Sequence, residues 1–199
     1  MLETKELTPV FGRHEGVYPK INHFKKLIDC VEKNPKIFSQ DDASLILGIG
    51  KSQVKALKFW GLAFKLIQED SKEVFVSDLG RNIFSENGSD PYLENMITVQ
   101  LLTNILLTEP CMVPSWYFFF NEFKQVEFSK EDLANSIEIW AKKVFPNVEI
   151  SQKNIKKDAE LIIKMYSENI PENPFFKLGA IKDMGDYYII DRGEIWLQA

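Results

Sequence analysis

The sequence predicts a mainly α-helical protein that contains winged-helix or helix-turn-helix units and small β-hairpins. Apolar residues recur at helical spacing over residues 22–33 and 51–67. A Gly-Ile-Gly turn at residues 48–50 precedes the second of these helices. Short runs rich in β-branched and aromatic residues follow in each half of the chain. Helix, tight turn, helix and strand in this order are typical of a winged helix.

The first predicted helix covers residues 22–33, and Asn22 is placed to cap it. Asn34-Pro35 ends this helix, because the residue before a proline avoids helical backbone angles. Ser39 and Asp42 have the spacing of a capping box for a short helix before the glycine turn.

The next helix starts at Lys51 or Ser52, directly after the glycines. Residues 74–76 are typical of a strand, and Ser77-Asp78 can cap a short helix after it. These elements place an N-terminal arm and a winged-helix DNA-binding unit within residues 1–90.

Residues 91–199 are predicted to form a helical unit with a second winged-helix-like hairpin. Three helices are expected, at residues 96–108, 128–145 and 151–166. The stretches "AIKDMG" and "DYYIID" read as two strands joined at Met184-Gly185.

The aromatic run "SWYFFFNEF", residues 115–123, allows two interpretations. Aromatic side chains can stack on unpaired bases. Here they are continuous instead of alternating with basic residues, which favours packing in the core.

A stripe of lysines is predicted on the helix that follows the glycine turn. No acidic residue occurs between Asp42 and Glu69. At about 100° per residue, lysines spaced i, i+4 and i+7 share one face, opposite the apolar face. Such a face can contact DNA phosphates while neighbouring polar residues reach base edges, or it can be an ordinary solvated face. The predicted DNA-binding residues are Lys51, Ser52, Gln53, Lys55, Lys58, Lys65 and Arg81.

Two further charged regions are apparent. Lysines recur in the predicted helix at 151–166, where Asp158 and Glu160 interrupt them. Between Glu86 and Glu138 nine acidic residues stand against two lysines, which makes this block a candidate face for a protein partner.

Composition excludes several classes of protein. The net charge of −5 argues against a polyanion binder that uses its whole surface. The two cysteines, Cys30 and Cys111, lie in apolar surroundings and predict buried thiols, although a single disulfide is the alternative. The N-terminus has no secretory apolar region and no apolar run is long enough to span a bilayer, so we expect a cytoplasmic protein without a membrane partner.

The stretch "FGRHE", residues 11–15, contains one of only two histidines in the chain. Arg13 could grip a phosphate, His14 could act as a general acid or base, and Glu15 could orient the histidine or hold a metal ion. The alternative is a structural ion pair between Arg13 and Glu15. As candidate catalytic residues, Arg13 and His14 are expected to share a groove with the lysine stripe.

The chain resembles the bacterial family filed as domain of unknown function 4007, the SspB-like component of DNA phosphorothioation systems. The resemblance rests on five ordered stretches: "FGRHE", "NPKIFSQDDASLILGIGKSQVKALKFWGLAFKLI", "LGRNIF" with "DPYLEN", "SWYFFFNEF" and "NPFFKLGAIK". Members of that family are longer, so we expect a fragment or a shortened member.

The resemblance implies a role in bacterial DNA phosphorothioation, a sulfur modification used like restriction-modification in phage defence. It implies DNA as a partner, together with an ATPase, a reductase-like ATP-pyrophosphatase and a cysteine desulfurase. It also implies nicking of one DNA strand for sulfur insertion, with Mg or Mn as the divalent metal. No nuclease motif or metal ligand set is identifiable in the residues, so the alternative is a non-enzymatic adaptor that docks the sulfur-transfer enzymes on DNA.

Overall fold

Eight α-helices, two short 3-10 helices (Ile37–Ser39 and Phe175–Leu178) and five short strands lie in the part of the chain that this computed structural model describes, residues 7–191. The helices are α1 (Ile21–Lys33), α2 (Ala43–Leu47), α3 (Lys51–Ala63), α4 (Asp78–Phe84), α5 (Met96–Leu107), α6 (Pro114–Asn121), α7 (Lys130–Val144) and α8 (Gln152–Ser167). The strands are β1 (Ile67–Asp70), β2 (Glu73–Val76), β3 (Glu127–Phe128), β4 (Ile181–Asp183) and β5 (Tyr188–Ile190). The predicted class, mainly α with small hairpins, is confirmed.

The described residues divide into two compact units. Residues 13–105 with 171–174 form the first, which we call the α3 unit, and residues 7–12, 106–170 and 175–191 form the second, the α8 unit. The predicted division after residue 90 and the winged-helix assignment stay predictions.

The α3 unit is built around three phenylalanines, two in helices and one at the end of a third helix. The ring centroid of Phe24 in α1 lies 5.1 Å from that of Phe64, just after α3, and 5.3 Å from that of Phe84 in α4. All three side chains are fully buried. Gly61 lets α3 approach α1, because a Cβ at this position would lie 2.5 Å from Leu27 Cδ2. Aromatic packing of this kind dominates the stability of a small core.

The helix starts of the α3 unit differ from two sequence expectations. Lys20, not Asn22, is the N-cap of α1, because the chain already turns helical at Ile21. The capping box predicted for Ser39 is wrong, since its hydroxyl donates to the carbonyl oxygen of Lys72 at 2.9 Å. Asp42 does occupy the N-cap position of α2, although its side chain makes no capping hydrogen bond.

A hairpin of β1 and β2 follows α3 in this unit. The strands are antiparallel, with Ile67 opposite Val76 and Asp70 opposite Glu73. Only β2 overlaps a strand predicted from the sequence, because β1 begins where the helical apolar pattern still continues. A left-handed residue, Lys65 with φ 57°, separates the helix from β1.

The α8 unit packs α6, α7 and α8 around a cluster of aromatic rings. Phe119 stacks on Tyr166 with ring centroids 6.5 Å apart, and it lies 6.3 Å from Phe128. Five of the six aromatic residues in the run 115–123 are buried, and Phe120 is half-buried. Core packing of this run is confirmed, and its aromatic rings are not available as an exposed partner face.

The second sheet has the order β3-β5-β4 and is antiparallel throughout. The predicted hairpin is present as β4 and β5, and Gly185 adopts φ 90° in its turn. The third strand, β3, pairs Phe128 with Tyr188. Two residues are too short a run for a sequence pattern, so β3 was not predicted.

Both cysteines are free thiols. Cys111 is buried, as expected, whereas Cys30 is only half-buried. Within residues 7–191, no helix is both long enough and apolar enough to cross a bilayer.

Replacing His23 with glutamine should reduce the pH dependence of stability. Burial, followed by the charges of Lys20 and Lys26, lowers the pKa of His23. The neutral ring accepts the backbone N–H of Lys20 at Nδ1 over 3.3 Å. The native state therefore resists protonation, and its stability should fall as the pH drops below the ordinary histidine pKa of about 6.5.

His23→Gln keeps a side-chain acceptor at the third helical position, where glutamine is favoured, but cannot titrate. Urea unfolding at about pH 7.5 and about pH 5.5 should show a smaller loss of unfolding free energy in the variant than in the wild type, because the ordinary histidine pKa lies between these values. Equal losses in the two proteins would contradict the assigned role of His23.

Candidate nucleic-acid interface

The orientation of α3 is set by the side chain of Trp60. Its indole is 1% exposed, and its Nε1–H donates to the carbonyl oxygen of Val17 at 2.7 Å. At about 100° per residue, Trp60 points about 180° away from Lys51 and about 140° away from Lys55. Burial of the indole therefore turns the lysine face of α3 towards solvent.

Lys51 and Lys55 are exposed, and neither has an ion-pair partner within the described part of the chain. The first turn of α3 contains no acidic residue. A cation near the positive end of a helix dipole is typically disfavoured by about 0.3–1 kcal/mol, so this placement of Lys51 does not serve helix stability. The two side chains form the part of the predicted stripe that is open to an anion.

Lys58 is already neutralised. Its Nζ lies 2.5 Å from Oε1 of Glu69 on β1, and the two side chains are only 30% and 37% exposed. The ion pair ties the helix to the hairpin. A phosphate would have to displace the carboxylate of Glu69. Lys58 is therefore the least available of the three stripe lysines for phosphate binding.

The two polar candidates at the start of α3 differ in availability. Ser52 is exposed. The Oε1 atom of Gln53 accepts the backbone N–H of Gly50 at 3.1 Å, which leaves the amide NH2 as the group that can donate. Purine N7 and O6 atoms in the major groove are acceptors for such a donor.

Lys65 and Arg81 lie outside α3. Lys65 is half-buried in the loop before β1, so the helix does not carry it back to the stripe. Arg81 in α4 is 52% exposed and contacts Glu32 and Asp78, each at 3.5 Å. Their roles in DNA binding stay predictions.

The beginning of "FGRHE" is anchored within the α8 unit. The ring of Phe11 packs edge-on against Phe145 with centroids 6.2 Å apart. The N–H of Gly12 donates to Oδ1 of Asp158 at 2.8 Å, while Oδ2 accepts the Ser115 hydroxyl at 2.6 Å. Gly12 has φ 71°, and a Cβ would lie 2.8 Å from the side chain of Asn154, so only glycine fits here.

The rest of the motif belongs to the α3 unit. His14 is 1% exposed and stacks on Trp60, with ring centroids 6.4 Å apart and planes inclined by 22°. Its Nδ1 accepts the N–H of Gly16 at 3.0 Å. Because Trp60 marks the side of α3 opposite the lysines, the expectation that His14 shares their groove is wrong. Arg13 and Glu15 are exposed and have no ion pair with each other.

Within the described range, 7–191, no group of three or more His, Cys, Asp or Glu side chains could hold a metal ion. The metal, which the sequence left open, is not identified by these residues.

Two interactions at these sites were missed by sequence reasoning. Asp158 falls at helical spacing among the buried residues Ile155, Ala159 and Ile162, so the period of α8 could have placed it inside. The pairing of Lys58 with Glu69 depends on the angle at which the hairpin leaves α3, for which the sequence has no signal.

The fold is a helical protein with two small antiparallel sheets and an exposed basic helix after a glycine turn. The chain belongs to the family described as Protein of unknown function (DUF4007), whose model matches residues 11–194.

Two solved structures are similar to this chain. They are described as "SspB crystal structure" and "Magnesium ion-bound SspB crystal structure". Each is 29% identical, with a TM-score of 0.87 over 96% of this chain. The chain spans 62% of the length of each SspB chain, less than two thirds. No functionally curated protein matches it.

Replacing Asp158 with alanine should destabilise the protein by about 2–4 kcal/mol, because Gly12 N–H and Ser115 O–H would both lose their acceptor. Urea unfolding measures the change. Glu160→Ala on the same helix is the control, since its 3.3 Å contact with Lys130 is solvent-exposed and should be worth less than about 1 kcal/mol. Equal losses in the two variants would show that the buried carboxylate is not an anchor.

Proposed function

We propose that this protein binds duplex DNA through the exposed N-terminal half of α3, as a component of a bacterial DNA phosphorothioation system. The observation that carries the proposal is the pair Lys51 and Lys55, two exposed cations without an ion-pair partner in the described chain. The likeness to SspB structures supports membership of such a system, because the sequence resembles its SspB-like component.

The charge pattern favours DNA contact over an ordinary solvated face. Lysines on a solvated helix are commonly balanced by carboxylates one turn away, as Lys142 is by Glu138 in α7 at 2.6 Å. No residue of α3 is acidic. An uncompensated pair of cations, such as Lys51 and Lys55, is typical of a surface whose counter-ions are phosphates.

The order of elements supports a helix-turn-helix mode of binding. Residue Gly48 has φ 62° and closes α2, and α3 begins three residues later. In such units the second helix enters the major groove and its first residues reach base edges. Lys51 and Lys55 would contact phosphates, and Ser52 and the amide of Gln53 would contact bases. The β1–β2 hairpin would be the wing.

Removing the two exposed lysines should lower the salt dependence of DNA binding. Each phosphate contact contributes about 0.9 to the slope of log K against log salt, so Lys51→Gln with Lys55→Gln should reduce the slope by about 1.8. Fluorescence anisotropy with a labelled duplex at several salt concentrations measures this. Helix stability should be unharmed, because the change removes cations near the positive end of α3.

A matched control carries Lys33→Gln and Lys177→Gln, which changes the net charge equally at two exposed lysines outside α3. Its slope should stay close to that of the wild type. Lys58→Gln alone should change the slope by less than about half a unit, since Glu69 already neutralises this lysine. A double variant at Lys51 and Lys55 that keeps the wild-type slope would refute the proposed surface.

A second candidate function is nicking of one DNA strand for sulfur insertion. The resemblance implies it, and the relative described as magnesium ion-bound favours it, since phosphodiester hydrolysis commonly uses a divalent metal. Of the candidate catalytic triplet, Arg13 and Glu15 are the exposed side chains that could reach a phosphodiester, whereas His14 is buried.

Incubation with supercoiled plasmid tests this second function. A nicking protein should produce open-circular plasmid with Mg or Mn and none with a chelator, and Glu15→Gln should slow the reaction without weakening DNA binding. Glu131→Gln, at an exposed position in α7, is the control for charge. DNA binding without cleavage under every metal would instead support the adaptor, which docks the ATPase, the ATP-pyrophosphatase and the cysteine desulfurase on DNA.

A further inference from the structure

The α8 unit carries its own concentration of exposed cations. They lie in the last turn of α7 and the first two turns of α8, and we call them the α7–α8 patch: Lys142, Lys143, Lys153, Lys156 and Lys157. The side chain of Gln152 donates to Oε2 of Glu138 at 3.1 Å, which joins the start of α8 to α7. All five lysines are exposed.

Of the two acidic residues that interrupt this patch in the sequence, one is buried and the other is paired with a lysine outside the patch. Asp158 is 2% exposed and turns inward, where it accepts hydrogen bonds from Gly12 and Ser115. Glu160 lies 3.3 Å from Lys130 at the start of α7 and so is committed to another lysine. The three lysines Lys153, Lys156 and Lys157 are left without either carboxylate.

Two carboxylates remain beside the patch. Glu138 is engaged by Lys142, and this hydrogen bond, with that of Gln152 and the charge of Lys156 nearby, lowers the pKa of the Glu138 carboxyl. Glu149 lies exposed in the loop between α7 and α8. Within residues 7–191, none of the other four lysines of the patch forms an ion pair, so the patch has a net positive charge.

This arrangement works against the stability of the helix that carries it. α7 follows the usual pattern, with Glu131 and Asp132 in its first turn and two lysines in its last turn. α8 has no acidic residue in its first turn, and its lysines crowd towards the positive end of the helix dipole. Lysines near the N-terminus of a helix, with no acidic residue beside them, are unfavourable for helix stability, and such an exception points to a function. A bound anion would supply the negative charge that the first turn of α8 lacks.

We propose that the α7–α8 patch is a second phosphate-contacting surface, which binds the sugar-phosphate backbone of DNA without reading its sequence. The cations of the patch are all lysines, with no arginine among them. Protein–protein interfaces are depleted in lysine and enriched in arginine and aromatic residues, whereas lysines are typical partners of DNA phosphates. The inference adds a contact to the proposed DNA binding through α3 and rests on that function.

The triple variant Lys153→Gln, Lys156→Gln, Lys157→Gln tests the patch. Three lost phosphate contacts should lower the slope of log K against log salt by about 2.7 and weaken binding to all duplexes equally. Anisotropy titrations with two duplexes of unrelated sequence provide the measurement. Circular dichroism should show an intact fold, since glutamine is a good helix former.

The control is Lys33→Gln, Lys124→Gln, Lys177→Gln, which removes the same charge from exposed lysines outside the patch. A triple patch variant with the slope of this control overturns the inference. The inference is also overturned if the triple patch variant loses binding to poly-glutamate but keeps the wild-type salt dependence of DNA binding. The patch would then bind an acidic protein surface. The Lys51 and Lys55 double variant tests α3 separately. The proposal for one surface can therefore be refuted while the proposal for the other is supported.

Discussion

The burial of Trp60 is the constraint on which the basic surface of the α3 unit depends. The indole is enclosed, stacks on His14 and donates its one N–H to Val17. A buried tryptophan removes roughly 150–250 Å² from water, and satisfying its N–H avoids the cost of an orphaned donor. A rotation of α3 that hid the lysines would expose this ring. The charge of Lys51 and Lys55 is therefore held in solvent by an apolar contact on the opposite side of the helix.

The helices differ in whether their N-termini carry the capping and acidic residues that favour helix stability. α4 and α7 each begin with an acidic residue and a serine that caps the backbone. These choices complement the helix dipole. α3 and α8 begin with neither, and both carry exposed lysines in their first two turns. α1, α2 and α6 also begin with neither, but their first two turns carry no exposed lysine. α3 and α8 combine both features, and they carry the two surfaces to which we assign phosphate contact.

The sequence was sufficient where structure depends on a local repeat. The period of apolar residues placed α1, α3, α7 and α8, the length of an apolar run placed α5, and the glycine pair marked the turn before α3. The sequence was insufficient where a side chain's contacts depend on segments that are distant in the chain. Lys58 forms an ion pair because β1 brings Glu69 beside it, and His14 is buried where its ring stacks on Trp60. "FGRHE" therefore combines a glycine hydrogen-bonded to Asp158, a buried histidine and two exposed charged residues. Neither interpretation of the motif from the sequence predicted this combination.

Lysine reactivity in the presence of DNA tests the proposed interface most directly. Acetylation rates of individual lysines can be followed by mass spectrometry with and without a saturating duplex. Lys51 and Lys55 should react several-fold more slowly in the complex, while Lys33, at the end of α1, should keep its rate. Unchanged rates at Lys51 and Lys55 in a sample where the DNA is bound would contradict the assignment of α3 as the DNA-binding helix.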